Sequence, residues 1–130
     1  MRSETILVVD DSADYRRILT RVLSSARYRV VTARSADEAR LVLKTSPPSA
    51  ALLDWNLPGD SGIDLAREIR RDPALARLPL LMLSVNARPE EQVQGLREGE
   101  VNAYLTKPVA AAELLARLEG LLRARGQGPR

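Results

Sequence analysis

The chain has 130 residues, enough for one core and one domain and too few, on this reading, to add an output domain of useful size. Hydrophobic residues at 45% and charged residues at 28% exclude a disordered chain, the lack of cysteine excludes disulfides and thiolate metal sites, and the lack of histidine removes the usual general base. The formal charge of +3 comes from arginines scattered over every expected helix, with Lys44 and Lys107 the only lysines and aromatics at 3%, so solvated helix faces rather than a nucleic-acid platform account for it.

In chain order, Ile6-Leu7-Val8-Val9 is a continuous apolar run of strand length, too short for a signal-peptide core or a membrane span, which predicts a cytoplasmic protein. Tyr15, Ile18, Leu19, Val22 and Leu23 form a helical stripe after it. Arg29-Val30-Val31-Thr32 is a more polar second strand. Ser35 and Glu38 then make a capping-box pattern that opens a helix through Ala39, Leu41, Val42 and Leu43. Pro47-Pro48 breaks the chain before the third strand, Ala50-Ala51-Leu52-Leu53, and Ser61 caps a helix carrying Ile63, Leu65, Ala66 and Ile69. Leu80-Leu81-Met82-Leu83 is the fourth strand, and Pro89 suits the first turn of the next helix. Residues 90–98 offer only Val93 and Leu96 as large apolar anchors and include Gly95, which costs ~1 kcal/mol against Ala in a helix. Tyr104-Leu105-Thr106 is the fifth strand, and Leu114, Leu115, Leu118, Leu121 and Leu122 mark the last helix. The domain is expected over residues 1–125, with 126–130 a flexible tail or linker stub.

Three strands that are apolar throughout are expected to be central and buried on both faces, with the two polar ones at the edges. Five alternations of strand and helix predict an α/β fold: a five-stranded parallel sheet, order 2-1-3-4-5, with helices on both faces. In that order the switch point lies between strands one and three, where open α/β sheets place their ligands.

The residues that terminate the strands carry the chemistry. Asp10 and Asp11 follow the first strand, Asp54 the third, Ser84 the fourth, and Thr106-Lys107-Pro108 the fifth. In a parallel sheet these ends share one edge, so three carboxylates, a hydroxyl and an ammonium converge. Three like charges there call for a cation, and a donor set of oxygens alone favours Mg²⁺. Such a carboxylate beside a lysine suits attack on a phosphoryl group whose oxygens are neutralised by the metal and Lys107, with Ser84 donating a hydrogen bond to the product. Each piece also has an ordinary role: Asp10-Asp11 as a helix cap, Lys107-Pro108 as a loop, Ser84 as turn chemistry. Their joint occurrence at four strand ends favours the site. Trp55 should direct its ring to the other side of the strand from Asp54 and cover apolar surface.

Four stretches resemble the response-regulator receiver family: Val8-Val9-Asp10-Asp11-Ser12, Leu53-Asp54-Trp55-Asn56-Leu57-Pro58-Gly59-Asp60-Ser61-Gly62, the strand ending in Ser84, and Tyr104-Leu105-Thr106-Lys107-Pro108. The Asp-Trp-Asn-x-Pro segment is similar to that of the single-domain chemotaxis regulator. The resemblance implies that Asp54 is the phosphoacceptor. It implies that Asp11 and Asp54 bind Mg²⁺ directly with the backbone carbonyl of Asn56, and that Asp10 acts through water. It makes Lys107 the phosphoryl counter-ion, ahead of a cis bond to Pro108, and Ser84 with Tyr104 the switch pair. The implied partners are a sensor histidine kinase or phosphotransfer protein, a downstream target or output domain, and a second copy of the phosphorylated chain.

Two departures from the family stand out. Val85 replaces the usual small residue after the switch hydroxyl, and should affect access of the phosphodonor and decay rate. Glu100 stands where the family commonly has glycine, with Gly99 one place earlier, so the end of the fourth helix should be shifted or distorted. Two other functions compete with the switch. A phosphorylation-independent interaction module would be signalled by loss of an acidic residue or the lysine, and all are present. A magnesium phosphohydrolase with an aspartate nucleophile usually places a general-acid aspartate two residues on, and Asn56 stands there. The expectation is a switch that modifies only itself and is not an enzyme with an independent substrate.

Overall fold

The computed structural model describes residues 4–85, 88–97 and 100–126. Its elements alternate as expected: β1 (Thr5–Val9), α1 (Ala13–Ser25), β2 (Arg29–Ala33), α2 (Ala36–Thr45), β3 (Ala50–Asp54), α3 (Gly62–Arg71), β4 (Leu80–Ser84), α4 (Pro89–Arg97), β5 (Ala103–Thr106) and α5 (Ala111–Gly126). The strands form one parallel sheet in the order β2-β1-β3-β4-β5. β3 and β4 are buried along their whole length and β1 everywhere beyond Thr5, whereas the edge strands β2 and β5 mix buried, half-buried and exposed positions. Continuous Val, Leu and Ile runs go to the centre because a strand covered on both faces has no solvent side for polar residues.

The sheet splits the apolar interior in two. Leu7, Val9, Ala51, Leu53, Leu80 and Met82 point to one face, where they meet Ala39 and Leu43 of α2 and Leu65, Ala66 and Ile69 of α3. The alternate residues Ile6, Val8, Leu52, Leu81 and Leu83 point to the other, against Leu19 and Leu23 of α1 and Leu114 and Leu118 of α5. Period-two alternation makes the two sets disjoint. Among the described residues, no helix is long and apolar enough to cross a membrane.

Two apolar residues of the expected helical stripes stay in solvent. Ile18 is 54% exposed and Leu41 63%. Each residue turns a helix by about 100°, so Ile18 sits a quarter-turn from Leu19, and Leu41 lies opposite Ala39. Val93 and Leu96 of α4 are also exposed, at 49% and 45%, in keeping with the weak anchoring expected of that helix.

The helix starts follow the caps. Ser35 Oγ accepts from the Glu38 N–H (3.2 Å), and Ser61 Oγ from the Asp64 N–H (3.2 Å). The box at Ser35 closes differently from the standard pattern, because Glu38 Oε1 accepts from the N–H of Arg34 (2.9 Å), one residue before the cap. At the far end of the α4–β5 connection Glu100 itself takes the left-handed backbone, φ 52°. That conformation costs roughly 1 kcal/mol for its Cβ, and Arg70 Nε donates to its carbonyl oxygen (2.9 Å). The junction between Arg97 and Glu100, where the shifted helix end was expected, lies outside the described residues. Gly99 lies outside the described residues, as do the expected tail positions 127–130; Gly126 ends α5.

Candidate functional site

β1 and β3 are paired through Val9 and Leu53, so the residues that follow, Asp10 and Asp54, stand side by side at the same end of the sheet, Asp54 as the last residue of β3. Asp11 joins them. One carboxylate oxygen from each of Asp10, Asp11 and Asp54 falls within 4.8 Å of the others, with Asp11 exposed and the other two buried. The ordinary role considered for Asp10-Asp11 is taken by a neighbour, because Ser12 caps α1 and its Oγ accepts from the Tyr15 N–H (3.2 Å). Asp10 instead accepts from the Ser12 N–H through Oδ1 (2.9 Å), and its carbonyl oxygen takes a hydrogen bond from Arg16 Nη1 (2.7 Å).

β4 and β5 bring the remaining groups. Ser84 pairs with Thr106, and the Ser84 carbonyl accepts from the Lys107 N–H (2.8 Å), which turns the lysine back over the carboxylates. Lys107 Nζ lies 2.6 Å from Asp10 Oδ2 and 3.6 Å from Asp54 Oδ1. The Lys107–Pro108 bond is cis, as the resemblance implied. The cation that settles the acidic cluster in this structure is thus the lysine, and its shorter contact is to Asp10 rather than Asp54.

Asp54 is 6% exposed. Burial, followed by the charge of Asp10, pushes its carboxyl up to about 6, against the downward pull of Lys107 and of the Asn56 N–H, which donates to Oδ1 (3.3 Å). Sequence alternation placed Trp55 correctly. Its ring joins the cluster on the α2–α3 face and meets the edge of Tyr104, centroids 6.0 Å apart at 63°. Ser84 is fully buried, Tyr104 is half-buried, and Val85 is 71% exposed at the rim.

The loop after β3 is pinned from two sides. The Gly62 N–H donates to the Trp55 carbonyl (2.7 Å), and Asn56 bridges to Ser61. From α2, Arg40 donates through Nη2 to Asp60 Oδ2 (2.6 Å), through Nε to Glu68 (2.9 Å), and through Nη1 to Asp37 (2.7 Å). The bonds to Glu68 and Asp60 hold the guanidinium more firmly protonated still. It is about a third exposed, so screening limits its weight. Arg40→Ala should lower stability by about 1 kcal/mol, with a smaller loss at high salt; chemical denaturation at two ionic strengths measures both.

The structure brings Asp10, Asp11 and Asp54 together, with Lys107 against Asp10 and Asp54; Ser84 ends β4, Asn56 lies in the loop after β3, and Tyr104 lies within β5. Sequence reasoning missed the Arg40–Asp60 tie and the part played by Tyr15, whose ring lies beneath Lys107 Nζ (4.4 Å to the centroid) and whose hydroxyl accepts from the Val109 N–H (3.1 Å). Tyr15 reads in sequence as one more apolar position of α1.

The donor set fits a hard divalent cation, with carboxylate oxygens of Asp10, Asp11 and Asp54 within 4.8 Å of one another and no cysteine or histidine anywhere in the sequence. Comparison with known proteins bears on the fold and the family. The phosphate regulon transcriptional regulatory protein PhoB of Pseudomonas aeruginosa is 40% identical over 128 residues, covering 98% of this chain and 56% of PhoB. The chemotaxis protein CheY-3 of Vibrio cholerae is 37% identical, covering 88% of each. The chain therefore spans about half the length of its PhoB relatives and most of CheY-3. Among solved structures, the receiver domain of the Francisella response regulator 1452 superposes with a TM-score of 0.87 at 25% identity, over 95% of this chain and 99% of that one. The chemotaxis response regulator CheY4 of Vibrio cholerae does so at 0.86 and 27%, over 92% and 99%. The family profile described as response regulator receiver domain matches residues 6–119, which takes in every strand end described above, and the chain belongs to that family.

Proposed function

We propose that this chain is a phosphorylation switch that receives a phosphoryl group on Asp54 from a sensor histidine kinase or phosphotransfer protein in the cytoplasm. The observation that carries the reading is the buried Asp54 carboxylate, set between two further carboxylates and 3.6 Å from the Lys107 ammonium. An Asp54 oxygen attacks phosphorus in line, the bond from phosphorus to the donor breaks, and the leaving group departs with its electron pair, giving an acyl phosphate. Mg²⁺, held by Asp11, Asp54 and the Asn56 carbonyl with Asp10 acting through water, would neutralise charge on the phosphoryl oxygens. Lys107 exchanges Asp10 for a phosphoryl oxygen, and the Ser84 hydroxyl donates to another. Tyr104 follows Ser84, and the face formed by α4, β5 and α5 changes its affinity for a target, an output domain or a second copy. The chain modifies itself and turns over no independent substrate. PhoB, a transcriptional regulatory protein, and CheY-3, a chemotaxis protein, show that this framework accompanies different outputs.

The test is intact-mass measurement with acetyl phosphate. One phosphoryl group should be gained with Mg²⁺ and none with EDTA, and Trp55 emission should change saturably on adding Mg²⁺. Lys107→Ala should keep the Mg²⁺ response and lose most of the labelling. Labelling indifferent to Mg²⁺ would overturn the proposal.

A further inference from the structure

The lysine of the site is supported by a residue with no part in the phosphotransfer described above. Lys107 Nζ is bounded by Asp10 Oδ2 at 2.6 Å, Asp54 Oδ1 at 3.6 Å and, on a third side, the face of Tyr15 with its centroid at 4.4 Å. A ring face carries negative potential, and a cation this little exposed (10%) feels it with little screening. The same side chain reaches past the lysine: its hydroxyl accepts from the N–H of Val109, two residues further along the chain (3.1 Å). Tyr15 therefore brackets Lys107 at the tip of its side chain and at the backbone that follows it. It is itself fixed by the start of α1, where Ser12 Oγ accepts from its N–H and Arg16 binds the carbonyl of Asp10. The acid that pairs with the ammonium and the ring beneath the ammonium are thus held by one turn of one helix.

We propose that Tyr15 is a positioning residue for Lys107, its ring steering the ammonium toward the acidic cluster and its hydroxyl holding the following backbone in register. The proposal rests on the reading of Lys107 as the phosphoryl counter-ion. A lysine on a flexible four-carbon stem gains most from such a guide, because its rotamer freedom otherwise has to be lost when the phosphoryl group arrives.

Because Lys44 and Lys107 are the only lysines, ¹³Cε-labelled lysine gives two methylene signals, with Lys44 on α2 as an internal reference. The Lys107 signal should be displaced by the ring current of Tyr15 in the parent and in Tyr15→Phe, and return toward that of Lys44 in Tyr15→Leu. Labelling by acetyl phosphate should slow about three- to tenfold in Tyr15→Leu and less in Tyr15→Phe, the weight of one partly desolvated cation–ring contact. A Lys107 signal or a labelling rate in Tyr15→Leu equal to the parent's would overturn the proposal. Equal slowing in both variants would assign the effect to the hydroxyl and likewise overturn the ring's role. If the parent takes up no phosphoryl group, the phosphoacceptor reading fails, and the Lys107 signal still decides where Tyr15 holds the ammonium.

Discussion

Asp54→Asn should take up no phosphoryl group from acetyl phosphate, and the metal-free variant should be more stable than the parent at neutral pH. The first result follows from chemistry, since an amide oxygen is too weak a nucleophile to form the acyl phosphate. The second follows from linkage. Burial and the charge of Asp10 raise the folded-state value of Asp54 from 3.8 to about 6, so the folded chain holds that proton more tightly than the unfolded chain does. The contribution is fully present below about 3.8 and lost as pH rises through about 6, which leaves the ionised carboxylate a net cost at pH 7. A displacement of that size corresponds to on the order of 2–3 kcal/mol. Asparagine removes the charge and keeps an oxygen to accept from the Asn56 N–H. Urea unfolding in EDTA should therefore show the variant ahead at pH 7 and level with the parent near pH 3. A variant that labels like the parent would remove Asp54 from its role, and a stability gap independent of pH would contradict the buried-charge account.

The second large effect is expected from sterics rather than from charge. Gly62 opens α3 directly beneath the peptide of Asp54, and a Cβ built there would stand 2.1 Å from the Asp54 carbonyl oxygen, 3.0 Å from its carbon and 3.2 Å from Met82 Sδ. The nearest atoms are backbone of a fully buried strand and have nowhere to move. The glycine is needed here for close approach and not for an unusual φ. Gly62→Ala should cost about 2–4 kcal/mol, since the loop holding Asn56 and the end of β3 must separate, and Mg²⁺ should bind more weakly as measured by Trp55 emission. Gly120→Ala in α5 is the control. Apart from its chain neighbours and the backbone of its own helix, no atom lies within 4 Å of the added methyl, so the variant should be more stable by about 0.5–1 kcal/mol. Equal denaturation midpoints for Gly62→Ala and the parent would refute the steric argument.

The strand order and the strand-end site were legible because both depend on one-dimensional patterns. Continuous apolar runs separate central strands from edges, and a parallel sheet sends every strand end to one side, so the pattern alone brings Asp10, Asp54, Ser84 and Lys107 together. Side-chain choices among near neighbours were not legible. Lys107 is read from the sequence as the phosphoryl counter-ion, and its shortest contact, 2.6 Å to Asp10 rather than to Asp54, is set by side-chain geometry that no one-dimensional pattern carries. Tyr15 and Arg40 were hidden for a related reason. A helix position that looks like core or like solvated surface in sequence acquires a role only when the opposite element, β5 or the loop after β3, is folded against it. Ile18 and Leu41 failed in the other direction, since hydrophobicity alone does not reveal how narrow a contact stripe is.

The two disjoint apolar clusters bear on how such a molecule can change over generations. Substitutions on opposite sides of a sheet share no neighbours and combine nearly additively, whereas those within one side must be compensated together. The half built on α1 and α5 contains the helix turn that serves Lys107, so its drift is tethered to the phosphoryl chemistry. The half built on α2 and α3 touches that chemistry through the loop after β3 and through Tyr104, which packs against it. It can accumulate new packing, and with it new surfaces, while the other half is inherited unchanged, as if two small proteins had been bound back to back along a common spine.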